Sequence, residues 1–130
     1  MQKPFDLSGP NFIGIYVRDV EKSAEFYEKI LGFRRDPEDF GGRAVAFLAY
    51  PTPFAVIKPP PDIDLDNVIR PIRVPLIWFK ANDSQAVHDA LVKAGVEILK
   101  PPSRRRGLEF TFVDPDGYAI SIYDRDSQDT

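Results

Sequence analysis

The sequence predicts an α+β fold made of two similar βαβββ modules. Two observations carry the modular part of that expectation. One order of elements occurs twice: Phe12-Ile13-Gly14-Ile15-Tyr16-Val17 leads to Asp19, a helical pattern and Gly32, and Leu76-Ile77-Trp78-Phe79-Lys80-Ala81 leads to Asp83, a second helical pattern and Gly95, about 64 residues later. Each helical pattern is then followed by short β-forming runs divided by Gly or Pro. A unit that recurs along a chain presents the same local preferences and the same apolar faces twice, and so folds as a repeated module.

The first helix is expected over residues 20–31, where Val20, Ala24, Tyr27 and Leu31 fall on one face and Glu21, Lys22, Glu25, Glu28 and Lys29 on the other. Asp19 is placed to accept from the free amides at its start, and Gly32 to take the left-handed turn that ends it. Strands follow at Phe33-Arg34-Arg35, residues 44–50 and residues 54–58, broken by Gly41-Gly42 and Pro51-Thr52-Pro53. The second helix, over residues 84–94, is capped by Asn82 or Asp83 and buries Val87, Ala90, Leu91 and Ala94. Strands are then expected at residues 96–99, 108–113 and 118–123, the last two joined by a tight turn at Asp114-Pro115-Asp116-Gly117. The modules run from about 10 to 58 and from 72 to 124 within one domain; residues 59–71, starting Pro59-Pro60-Pro61-Asp62, form the linker. The polar tail from Asp124 is expected to fray.

A chain of 130 residues buries one substantial core without crosslinks, and this one has no cysteine. That usage fits a reducing cytoplasm, and neither a signal peptide nor an apolar run of membrane-spanning length is visible, so a cytoplasmic location without a membrane partner is expected. A net charge of −3 and a pI near 5.1 argue against nucleic acid, which demands a clustered cationic face. Arg104-Arg105-Arg106 is the one basic run; it reads as a solvated loop, with anion or substrate contact as the alternative. His88, the only histidine, falls on the polar side of the second helix, with no second ligand at metal spacing. Asp114-Pro115-Asp116-Gly117 reads as a turn rather than a calcium loop, and Gly41-Gly42 lacks the strand-to-helix setting of a phosphate cradle.

Two stretches carry a family resemblance: Val17-Arg18-Asp19-Val20-Glu21-Lys22-Ser23-Ala24-Glu25-Phe26-Tyr27-Glu28-Lys29-Ile30-Leu31-Gly32-Phe33 and Phe112-Val113-Asp114-Pro115-Asp116-Gly117-Tyr118-Ala119-Ile120. With the duplicated order, they resemble the vicinal oxygen chelate superfamily, which contains glyoxalase I, extradiol dioxygenases, fosfomycin-resistance enzymes and bleomycin-resistance proteins. The resemblance implies paired modules whose strands curl into a cup, often completed by a second subunit. In metal-dependent members it also implies a divalent ion held by His or Glu side chains from four strands. Carried onto this sequence, those positions fall at Phe12, Leu76, Ser121 and, on the strand over residues 54–58, Val56. None is His, Glu, Asp or Cys. A phenyl ring and aliphatic chains cannot replace a cation's hydration shell, so neither a metal nor another cofactor is expected.

Alternation along a strand groups Phe12, Gly14 and Tyr16 on one face, and likewise Val74, Leu76 and Trp78, and Ala119, Ser121 and Tyr123. Each ring taken singly reads as core; the resemblance places this face around a cavity. Trp78 and Tyr16 lead the candidates for stacking on a planar ligand, because each joins a flat apolar body to a polar tip. Glu109, alternating with Thr111 on the same strand, completes the set as a candidate general base, while Ser121 lacks the neighbouring base that a nucleophile requires. The candidate ligand-binding residues are therefore Phe12, Tyr16, Val56, Leu76, Trp78, Glu109, Ser121 and Tyr123, and no catalytic residue is assigned. The expected function is metal-free binding of a planar or apolar organic compound by a homodimer resembling bleomycin-resistance proteins. The alternatives are a metal-dependent lyase, isomerase or dioxygenase with shifted ligands, and an interaction module whose cup is filled by its own side chains.

Overall fold

A computed structural model describes residue 5, residues 10–105 and residues 107–125. The chain divides into two compact units, Met1–Leu65 and Asp66–Thr130, each with its own mixed sheet. The division falls inside the Pro- and Asp-rich segment 59–71, where Leu65–Asn67 form a short 3-10 turn.

In the first unit, β1 (Ile13–Tyr16) leads to α1 (Val20–Glu25), a π-helical continuation (Phe26–Ile30), β2 (Ala44–Phe47) and β3 (Phe54–Ile57). The sheet order is β1-β3-β2, with β1 parallel and β2 antiparallel to β3. Asp19 caps α1 by accepting from the Lys22 amide at 3.0 Å. The helix then widens, and the Leu31 amide donates five residues back, to the Phe26 carbonyl. Consecutive Phe26 and Tyr27 are both buried at this turn. Tyr27 lies 5.1 Å from the Phe54 ring and 6.1 Å from Phe47. These two phenylalanines, with Val56, are fully or almost fully buried, and such burial stabilises by about 1.5–3 kcal/mol per side chain.

Phe33-Arg34-Arg35 does not form the expected fourth strand. Only a single bridge, Arg35 to Phe47, joins it to β2. Backbone bonds from Asp36 to the Ala46 carbonyl and from Leu48 to the Arg34 carbonyl flank it, and Pro37 then offers no donor to continue the ladder. Arg35 instead ties this segment to the helix: Nη1 donates to Glu21 Oε1 at 3.1 Å and Nε to Glu28 Oε1 at 3.2 Å.

The second unit contains β4 (Ile72–Lys80), α2 (Ser84–Lys93), β5 (Ile98–Arg105), β6 (Gly107–Val113) and β7 (Tyr118–Tyr123), in sheet order β4-β7-β6-β5. Asp83, not Asn82, caps α2, accepting from the Ala86 amide at 3.1 Å. Of the expected buried stripe, Leu91 is fully buried and Val87 half-buried, whereas Ala90 and Ala94 are exposed. His88 is not on the polar side: its ring packs edge-on against Phe110 at 5.2 Å while Nδ1 lies 3.1 Å from Asp89 Oδ1.

The turn at 114–117 forms as expected. Asp114 Oδ1 accepts from the amides of Asp116 and Tyr118, both at 2.9 Å, and Gly117 takes a φ of 95°. Two expectations fail nearby. Strand β5 does not stop at Leu99 but passes through Pro101-Pro102, so Arg104 and Arg105 belong to a strand, while Arg106 lies outside the described residues. Proline is tolerated there because β5 is a sheet edge whose register slips between Ile98 and Lys100 and again before Ser103. Asp124 is also tied down: its carboxylate accepts from the Ser84 amide at 3.0 Å and the Leu108 amide at 2.9 Å. Those two bonds hold its carboxyl below the usual carboxylate range. The rest of the tail expected to fray, from residue 126, lies outside the described residues.

Candidate functional site

Pairing register arranges the second unit's side chains in rows across four strands. Lys100 lies opposite Thr111, Thr111 opposite Ser121, and Ser121 opposite Trp78. The next row on the same face is Ser103, Glu109, Tyr123 and Lys80. Between them, Phe110, Ile122 and Phe79 point to the other side, as does the row Ile98, Phe112, Ile120 and Ile77. Helix α2 packs on β5 and β6, and its neighbours Phe110, Phe112 and Ile120 are buried. The face away from these apolar rows bears a cavity of about 200 Å³.

Leu76, Trp78, Glu109, Thr111 and Ser121 line that cavity, so four of the eight candidate residues meet in one place. Its floor holds a buried hydroxyl pair, Thr111 Oγ1 and Ser121 Oγ, 2.7 Å apart. Whichever hydroxyl donates, its partner keeps a proton that can be offered upward to a ligand. Trp78 forms one wall and is 39% exposed, with its ring edge-on to Tyr123 at 5.9 Å. Tyr123 thus supports Trp78 without lining the cavity itself. The lining also includes Arg73 from β4 and Lys100, Ser103 and Arg105 from β5; of these the sequence singles out only Arg105, within the run read as a solvated loop with anion or substrate contact as the alternative. The only signal was the arginine run, which reveals its inward residue only once the register slips of β5 are known.

Phe12, Tyr16 and Val56 belong to the first unit. Tyr16 and Gly14 share a face, and Tyr16 lines a shallow concavity with Arg43, Ile57 and Lys58. Phe12 precedes β1 and is mostly exposed; its ring and Ile57 lie over Gly14, where an added Cβ would stand 3.2 Å from Phe12 Cε2 and 2.6 Å from Ile57 Cδ1. Val56 is on the wrong side. It lies opposite Ile15 and Val45 and is fully buried, so the residues of β3 that share the face of Gly14 and Tyr16 are Ala55 and Ile57.

The four positions implied for a metal ion carry few donors. Phe12, Val56 and Leu76 offer no side-chain lone pair, and Ser121 offers only a neutral hydroxyl already bonded to Thr111. Among the described residues, no group of three or more His, Cys, Asp or Glu is placed to hold a metal ion. A chelated cation does not fit this donor set.

Residues 9–122 match the model of the Glyoxalase/Bleomycin resistance protein/Dioxygenase superfamily. The chain belongs to that superfamily. A curated glyoxalase relative, Glyoxylase I 4 of Arabidopsis thaliana, is 28% identical over 138 aligned residues, covering 95% of this chain and 75% of its own length. Among solved structures, the fosfomycin resistance protein FosX of Listeria monocytogenes superposes with a TM-score of 0.74 at 18% identity, covering 95% of this chain and 98% of its own. TnmS3, an antibiotic binding protein from Streptomyces sp. CB03234, does so with a TM-score of 0.71 at 22% identity, over 94% and 99% of the two chains. The glyoxalase-superfamily chain thus has the vicinal oxygen chelate fold. No helix among its described residues is long and apolar enough to cross a membrane.

Proposed function

We propose that this protein binds a planar organic compound without a metal ion, seated against Trp78 in the cavity of the second unit, and works as a cytoplasmic homodimer. The observation that carries the reading is the row Lys100, Thr111, Ser121, Trp78, which gives the cavity a polar floor and an aromatic wall, with Glu109 as the one carboxylate among its described lining residues. The fold likeness to an antibiotic binding protein is in keeping with it. The dimer is favoured by edge strand β4, where Val74 and Leu76 are 82% and 80% exposed, because an apolar sheet edge left open invites aggregation.

The energetics limit what such a site can hold. A cavity of about 200 Å³ is smaller than a drug-sized pocket and suits one or two fused rings. Burying roughly 300 Å² of ligand and protein apolar surface gains on the order of 7 kcal/mol gross, from which ordering removes several. Micromolar affinity needs about 8 kcal/mol net, so the hydroxyl pair and the rim must supply the difference.

The test combines metal analysis with calorimetry. Purified protein is expected to contain no stoichiometric transition metal and to keep its affinity for a two-ring aromatic probe after chelator treatment. Trp78→Ala is expected to abolish binding while circular dichroism and sedimentation remain those of the folded dimer. One equivalent of zinc, iron, manganese or nickel, removed together with activity by a chelator, would instead establish the metal-dependent lyase, isomerase or dioxygenase reading.

A further inference from the structure

We propose that the compound held in the second unit's cavity is an aromatic anion, a ring system bearing one carboxylate, drawn by a lining that carries Arg73, Lys100 and Arg105 while its ring lies on Trp78. This rests on the ligand-binding reading above and adds the chemical class. Among the described residues, three cationic side chains and one carboxylate, Glu109, line the cavity, so this lining is net positive on a chain whose formal net charge is −3. That inversion of sign is local. A concavity lined by one sign, with an apolar wall, focuses its field on an entering ligand.

The origin of the charge lies in the strands. Arg73 comes from edge strand β4, and Lys100 and Arg105 from edge strand β5. The slips of β5 register change which of its residues share the cavity face, so that Lys100, Ser103 and Arg105 all line it. None of the three cations forms an ion pair with an acidic side chain among the described residues, and Glu109 lies opposite Ser103 and Tyr123. Among the described residues, their charge is therefore left for a ligand. Guanidinium forks suit a planar carboxylate, and the hydroxyl pair on the floor offers it one further proton. Glu109 disfavours a second negative group at its end of the cavity, which restricts the class to monoanions.

The experiment compares two probes of equal shape, 2-naphthoate and 2-naphthamide, by calorimetry and by Trp78 fluorescence, at low and at physiological ionic strength. The anion is expected to bind at least ten-fold more tightly at low salt, equivalent to about 1.4 kcal/mol. Its advantage is expected to shrink as the screening length falls from about 30 Å to about 8 Å. Lys100→Gln with Arg105→Gln is expected to bring the two probes to within three-fold of each other, the loss falling mainly on the anion, while the melting temperature stays unchanged. Equal affinities in the wild-type protein, or a tighter amide, would overturn the anion assignment and leave the binding function standing. Failure of both probes to release heat or to alter Trp78 emission would overturn the binding function itself, and the anion assignment with it.

Discussion

Replacing Gly117 with Ala tests how the turn at 114–117 is locked to the start of β4. Gly117 has a φ of 95°, and an added Cβ would stand 2.6 Å from Arg70 Cδ and 2.8 Å from Cγ and Nε. Arg70 is not free to swing away, because Nε donates to the Asp116 carbonyl at 2.8 Å and Nη1 to the Val68 carbonyl at 3.2 Å. Left-handed backbone costs an alanine about 1–2 kcal/mol. Expelling the guanidinium forfeits two charged hydrogen bonds, which after rehydration in this half-buried place costs about 1–2 kcal/mol more. The sum is about 3 kcal/mol. An unfolding entropy near 2.1 cal/mol/K per residue over 130 residues converts that to a fall in Tm of about 11 °C. Urea denaturation and calorimetry supply the measurement, and the decisive comparison is made in an Arg70→Ala background. There the collision is gone and only the backbone cost of about 1–2 kcal/mol should remain. Equal costs in the two backgrounds would refute the claim that Arg70 fills the space beside Gly117.

Asp124 makes stability pH-dependent. Its folded pKa is lowered by the Ser84 and Leu108 amides, so its contribution is complete above the ordinary carboxylate range near pH 4 and is lost as pH falls through the lower folded value. Asp124→Asn should flatten that acid limb in a urea titration; parallel limbs would contradict the assignment. Thr111→Val leaves the Ser121 hydroxyl buried without its partner and should cost about 1–3 kcal/mol, while Thr111→Val with Ser121→Ala should recover most of it. A double variant no more stable than Thr111→Val would show that the hydroxyls are not a coupled pair. Val56→Ala should cost about 2 kcal/mol in stability without changing affinity for a naphthyl probe, since Val56 is fully buried on the core side of its strand; weakened binding at unchanged stability would return it to the site.

The second unit was the more legible half. Its helix start, its 114–117 turn and the parity of Glu109, Thr111, Ser121 and Trp78 follow from local rules, because central strands β6 and β7 keep strict alternation through an unbroken register. Strand β5 was not legible in the same way. Prolines ordinarily end a strand, and only its position at the sheet edge, a tertiary fact, lets it continue past Pro101-Pro102. In the first unit, the face of Val56 depended on which residue of β1 it opposes, and loops at 37–43 and 48–53 hide that count from the sequence. The π-helical turn at Phe26–Ile30 was equally hidden: the 3.6-residue period assigns Tyr27 to the core and leaves Phe26 off it, whereas packing buries both.

This division between central and edge strands bears on how the site discriminates among ligands. The cavity floor, Thr111 and Ser121, lies on β6 and β7, where each residue has ladder partners on both sides and a substitution disturbs the sheet. The charged rim lies on β4 and β5, which have one partner strand each and already absorb register slips and prolines. Rim residues can therefore change sign or length at little cost to folding, as exposed substitutions typically shift stability by about 0.5 kcal/mol or less. Reversing Lys100 and Arg105 to Glu should consequently turn the preference toward cationic aromatic probes without unfolding the unit. Loss of the folded state in that variant would mean that the rim takes part in holding the sheet together, and that ligand class and fold stability are not separable in this chain.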